Sequence, residues 1–152
     1  TQHLSAQDLL AMADYLKALP AAKATLEPPA PAVARPANAG VHTEKAAKLY
    51  EQHCAPCHGR QGQGVPNAYP PLAGNRAVTM ASTANLVQMV LNGGFAPATA
   101  GNPRPFGMPP FVLVLSDSEV ANVITHIRTA WGNQASSITP LDVSRIRAHQ
   151  AH

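Results

Sequence analysis

A helical fold is what this sequence predicts, and three observations predict it. Residues 4–20 and 115–131 each open on Leu-Ser with an acid three positions after the serine, then continue with apolar side chains at helical spacing. No run of alternating β-branched residues is present to supply a sheet. Ten glycines and 15 prolines punctuate the chain between its periodic stretches, cutting it into short elements.

In chain order, Ser5 and Asp8 form a capping pair, Leu9, Met12, Ala13, Leu16 and Leu19 share one face, and Pro20 stops the helix. Pro20, Pro28, Pro29, Pro31 and Pro36 alternate with alanines up to Gly40, the composition of a semi-extended linker. Thr43 is placed to cap a second helix running through Tyr50 into Cys54. A glycine- and proline-rich loop follows, from Gly59 to Gly74. Helical signal returns at Thr83–Leu91, where Leu86, Met89 and Val90 make an apolar stripe ended by Gly93 and Gly94. Residues 95–114 read as loop. Ser116 and Glu119 cap a helix whose face is Val120, Val123, Ile124, Ile127 and Trp131, and which ends at Gly132-Asn133. A polar tail follows, with a short helix around Asp142–Ala148.

Aligned without gaps, Leu4–Leu19 and Leu115–Ala130 follow one plan: Leu9 pairs with Val120, Met12 with Val123, Leu16 with Ile127 and Lys17 with Arg128. Capped amphipathic helices resemble one another, but the match also suits a first helix that ends a preceding domain of the same type. The expected organisation is therefore a terminal helix of a truncated domain (1–20), a linker (21–40), one folded domain (41–133) and a polar tail (134–152). Thr1–Leu4 carry no basic region leading into an apolar one, so the chain start reads as a processed or truncated boundary. No stretch approaches 18 consecutive apolar residues.

The chemistry concentrates in Cys54-Ala55-Pro56-Cys57-His58, which holds both cysteines of the 152 residues. Two thiols three apart, with a histidine directly after the second, form the attachment signature of haem c. Each sulfur can add to one vinyl group of the porphyrin, and the local curl carries His58 beneath the ring as an iron ligand. A thioredoxin-like pair would need a strand-to-helix turn in an α/β pattern that is absent. A structural zinc site needs about four ligands, and His53 with His58 would complete one only at a cramped spacing. A disulfide across so short a loop would be strained.

With 45% apolar and 12% charged residues, a domain of this size buries only a modest core, which a central haem would complete. The formal charge of +3 raises the question of nucleic acid, but the basic residues are scattered and haem propionates would offset most of the excess. Nucleic-acid binding is therefore not expected. Covalent haem attachment points to an oxidising, exported compartment, the bacterial periplasm.

The sixth iron ligand is the remaining question. Met89 sits on an apolar stripe and reads as core filler, Met12 belongs to the first helix, and Met80 reads as filler near a helix start. His126 lies on the flank of the last helix and reads as a surface residue, while His149 and His152 stand in the polar tail. Met108 differs: it stands in Phe106-Gly107-Met108-Pro109-Pro110-Phe111, a loop stiffened by prolines and suited to hold a thioether against iron. Phe106 and Phe111 are placed to cover the ring edge. Arg76 and Arg104 are candidate propionate partners, although lone arginines are more often solvated.

Cys54–His58, Tyr69–Gly74, Gly107–Phe111 and Leu115–Glu119 stand in the order found in class I cytochromes c, and over 41–133 the chain resembles that family. The resemblance implies an all-α fold with the first and last helices crossing and the haem in a crevice lined by Leu72, Phe106 and Phe111. It also implies that the Pro70 carbonyl accepts the Nδ1–H bond of His58. More narrowly, residues 108–133 resemble the last domain of the multihaem cytochrome subunits of membrane-bound alcohol, gluconate and aldehyde dehydrogenases. The implied partners are a dehydrogenase subunit, further haem domains of the same parent chain, and a quinone or oxidase acceptor. Membrane association would then come through the parent complex. The function read from this is electron transfer through one haem held by His58 and Met108, not catalysis by the domain alone. The alternative is a haem enzyme or gas sensor with an open iron site.

Overall fold

The computed structural model describes residues 3–20, 39–101 and 103–149, and within them it is an all-α protein of seven helices and one two-stranded ladder. The proline-rich linker lies outside these residues. The helices are α1 (Ala6–Ala18), α2 (Ala39–His53), α3 (Ala55–His58), α4 (Arg76–Thr79), α5 (Ala84–Asn92), α6 (Asp117–Thr129) and α7 (Pro140–Ala148). Strands β1 (Gly94–Phe95) and β2 (Gly107–Met108) pair antiparallel, with Gly94 opposite Met108.

Local chemistry sets the helix starts. Ser5 and Ser116 each accept a hydrogen bond from the backbone N–H three residues on, and the Asp8 and Glu119 carboxylates each accept one from the cap's own backbone N–H. Thr139 and Asp142 repeat the device ahead of α7, with Pro140 in the first turn. Each reciprocal pair satisfies donors that a bare helix end would leave open.

Helices α2 and α6 pack against each other as the central pair, and α7 lies against α6 and α5. Between them is one core: Tyr50, Val87, Leu91, Phe111, Val120, Val123, Ile124, Ile127 and Val143 are all buried. Each fully buried aliphatic side chain of this set contributes roughly 1.5–3 kcal/mol to holding the helices together.

Several expectations need revising. Helix α5 buries the expected Val90 and packs Leu86 partly against the core, but adds Val87 and Leu91 to its inward face, and Met89 is 46% exposed rather than core filler. Helix α2 stops at His53, and α3 starts afresh after Cys54. The loop 95–114 begins within β1 and contains β2. Residues 134–148, read as polar, contribute Ile138 and Val143 to the core. His126 is half-buried between two aromatic rings, not a surface side chain. Among the described residues, no helix is long and apolar enough to cross a membrane.

Candidate haem site

Cys54 caps α3, and His58 N–H donates to its carbonyl at 2.9 Å, so one helical turn carries both thiols and the imidazole. Gly59 ends that turn at φ +78°, where a side chain would be strained. Its carbonyl accepts a 2.6 Å hydrogen bond from the Tyr50 hydroxyl, tying the motif to α2. The cysteines are not joined to each other, and both are half-buried. Burial, reinforced by Cys57, pushes the Cys54 thiol up to about 11, so it is protonated at neutral pH.

His58 Nδ1 lies 2.9 Å from the Pro70 carbonyl. With the proton on Nδ1, the imidazole donates there and presents the Nε2 lone pair as its free ligand position. The Pro70 segment is itself held: Gly64 N–H donates to the His58 carbonyl at 2.7 Å, and Leu72 and Ala73 N–H donate to the Gly62 carbonyl. Asn133 adds a clasp from beyond α6, donating to the Leu72 carbonyl at 3.0 Å.

Met108 is placed by backbone contacts that were not expected. Gly93 approaches so closely that a Cβ there would run into the Met108 carbonyl, and the β1–β2 ladder fixes Gly94 opposite Met108. The Gly93-Gly94 pair was the available signal, since side-chain-free positions often mark close backbone approach. Beyond Met108, Phe111 and Val112 N–H donate to carbonyls at the end of α5. Met108 is half-buried and packs against the core, as do Leu72 and Cys54.

The two phenylalanines part company. Phe111 is buried in the core with its ring 5.7 Å from His53, whereas Phe106 is 58% exposed and stacks obliquely on Tyr69 at 5.1 Å. Arg76 and Arg104 are both exposed.

Two half-buried thiols on one turn, beside an imidazole already bonded at Nδ1, fit covalent haem attachment. They do not fit a chelated metal ion: among the described residues, no three His, Cys, Asp or Glu side chains gather to hold one. Residues 43–131 match the family model described as cytochrome c.

The chain belongs to the cytochrome c family.

Membership brings covalently bound haem c, for which Cys54 and Cys57 supply the attachment motif, and electron transfer as the role. The chain is 37% identical over 150 residues to the cytochrome c subunit of the quinone alcohol dehydrogenase of Gluconobacter oxydans (strain 621H), covering 97% of this chain and 31% of that protein. It is 35% identical to the gluconate 2-dehydrogenase cytochrome c subunit of Pantoea cypripedii, covering 99% of this chain and 36% of that one. It is also 36% identical over 110 residues to cytochrome c-552 of Thermus thermophilus, covering 67% of this chain and 83% of that one. The chain thus spans about a third of the length of the dehydrogenase subunits it matches.

Proposed function

We propose that this cytochrome c domain relays single electrons through a haem iron held by His58 and Met108, as the last domain of a longer cytochrome subunit. That subunit serves a periplasmic dehydrogenase and passes electrons toward quinone or an oxidase. The observation that carries this reading is the reach of the likeness. It covers 97% or more of this chain, too much to leave α1 out, yet only about a third of each dehydrogenase subunit.

Helix α1 supports the same organisation. It has the same length as α6, 13 residues, and the backbone angles at the two caps agree within a degree, φ −67° and ψ 161° at Ser5 against φ −67° and ψ 162° at Ser116. Leu9, Met12 and Leu16 are exposed, while their counterparts Val120, Val123 and Ile127 are buried. An apolar face of that kind is what a preceding domain of the parent chain would cover.

The haem supplies the one-electron chemistry. The protein's contribution is positional: Pro70 fixes the His58 tautomer, and the backbone around Gly93, Gly94 and Val112 holds the Met108 loop. A thioether as sixth ligand favours reduced iron and suits a carrier. The test is the weak far-red absorption band of ferric haem bonded to methionine sulfur. It should be present in the haem-loaded chain, lost in Met108→Ala and retained in Met89→Ala. A chain without the band whose reduced form binds carbon monoxide at once would instead be an open-site haem protein.

A further inference from the structure

We propose that α7 is a strap on the Met108 loop, and that Arg147 is a positioning residue for the iron's sixth ligand. The inference rests on the reading of Met108 given above. One guanidinium reaches three acceptors: Nε donates to Asp117 Oδ1 at 2.8 Å, Nη1 to the Val112 carbonyl at 2.9 Å and Nη2 to the Leu115 carbonyl at 3.3 Å. Val112 and Leu115 lie in the segment that joins Met108 to α6, and Asp117 is the first residue of α6.

Val112 is thereby held from both sides. Its N–H donates to the Leu91 carbonyl of α5 at 2.9 Å, and its carbonyl receives Arg147. The prolines at 109 and 110 stiffen the short span back to Met108, so fixing Val112 restricts where the sulfur can go. Leu113 and Val114, between the two carbonyls, are exposed and bring no packing of their own. Val114 and Leu115 N–H turn back to the Phe111 carbonyl at 3.0 and 2.9 Å, and the guanidinium clamps the outward carbonyls of this turn to α6 and α7.

Helix α7 is anchored well enough to bear that role. Val143 is fully buried, Ile146 packs on the core, and the Thr125 hydroxyl both receives Ile138 N–H at 3.1 Å and faces its carbonyl at 3.4 Å. All of α7 lies beyond residue 131, where the match to the cytochrome c family model ends. The strap is therefore an addition to the family domain in this chain, and it acts on the most easily displaced part of the site. A neutral thioether is a weak ligand for ferric iron, so its hold depends on how little the loop can move away.

The experiment is a titration of the ferric, haem-loaded full chain with imidazole, followed through loss of the far-red methionine band. Arg147→Ala should bind imidazole about tenfold more tightly than wild type, because charge-assisted bonds that resist loop displacement are gone. Arg147→Lys should fall between the two, since a single ammonium that stays with Asp117 cannot also serve both carbonyls in the guanidinium's geometry. Val123→Ala creates a cavity in the core but leaves Arg147 and its three acceptors unchanged, and should lower the melting temperature while leaving imidazole affinity at the wild-type value.

Equal affinity in Arg147→Ala and wild type would overturn the strap, as would a Val123→Ala increase matching that of Arg147→Ala. If Arg147→Ala fails to mature, Arg147→Lys decides alone, and wild-type affinity there rejects the proposal. A wild-type chain lacking the methionine band removes Met108 from the iron, and the strap's role with it. A wild-type chain showing the band, with Arg147 variants unmoved, removes the strap alone.

Discussion

Trp131 lies against Gly62 so closely that a Cβ on the glycine would stand 2.6 Å from the indole ring. Gly62 also has φ +63°, and its carbonyl receives Leu72 and Ala73 N–H, so the contact joins the end of α6 to the loop that orients His58. Gly62→Ala therefore carries two penalties, a left-handed backbone with a side chain and an overpacked ring. Together they should cost about 2–4 kcal/mol. Denaturant unfolding of the haem-loaded chain measures this; a loss below about 1 kcal/mol would mean that Trp131 moves aside freely.

Asn133 makes the complementary prediction from the other end of the same contact. It is 5% exposed, donates to the Leu72 and Ile127 carbonyls at 3.0 and 2.8 Å, and accepts from Gly74 N–H at 2.9 Å. Asn133→Ala strands one donor and two acceptors, with an expected loss of about 2–4 kcal/mol. Asn133→Asp retains the acceptor but not the donor, and should recover only part of it. Unfolding curves for the two variants should keep that order.

What the sequence made legible was whatever is written locally. The Ser5–Asp8 and Ser116–Glu119 boxes, the Cys54–His58 turn and the proline-stiffened Met108 loop are each complete within a few residues, so residue type and spacing suffice. The phase of α5 was only partly legible. Leu86 and Val90 of the expected stripe do meet the core, but whether Met89 or the equally apolar Val87 and Leu91 join them depends on packing against α6 and α7. The β1–β2 ladder, two residues a side, is too short to leave a periodic trace. Arg128 reads as the polar match of Lys17, because its backbone acceptors at Val78 and Met80 lie about 50 residues away and carry no side-chain signature. The Thr139–Asp142 box was readable and would have marked the start of α7.

Arg128 is nonetheless a strong structural test, being 1% exposed. Nη1 donates to the Val78 and Met80 carbonyls at 2.6 and 2.9 Å, and Nε to the Ser136 carbonyl at 2.7 Å. These bonds tie α4 and the segment after α6 to one side chain, and burial pushes its guanidinium below the ordinary arginine range. Arg128→Ala leaves both a cavity and unpaired carbonyls, and should cost about 3–5 kcal/mol. Arg128→Lys cannot reproduce the fork and should regain less than half. A lysine variant as stable as wild type would show that the charge alone matters.

His126 gives the pH prediction. Its ring lies 5.5 Å from Tyr50 and 5.4 Å from Trp131, and burial there pushes the imidazole below its ordinary value of 6.5. The folded chain thus binds fewer protons than the unfolded chain just below that value, so stability rises with pH in this window. The contribution is fully present above pH 6.5 and is lost as acidification carries the solution down through the folded value. Glu119 and Asp142, held low by their cap hydrogen bonds, act in the same direction in a more acid window, below their ordinary 4.5 and 3.8. Melting temperatures of the haem-loaded chain should therefore begin to fall between about pH 7 and 5, before the carboxylates contribute. His126→Phe keeps the aromatic packing and removes the proton site, so it should flatten that first part of the curve and leave the acid part unchanged. If wild type and His126→Phe fall in parallel throughout, another group controls the near-neutral loss.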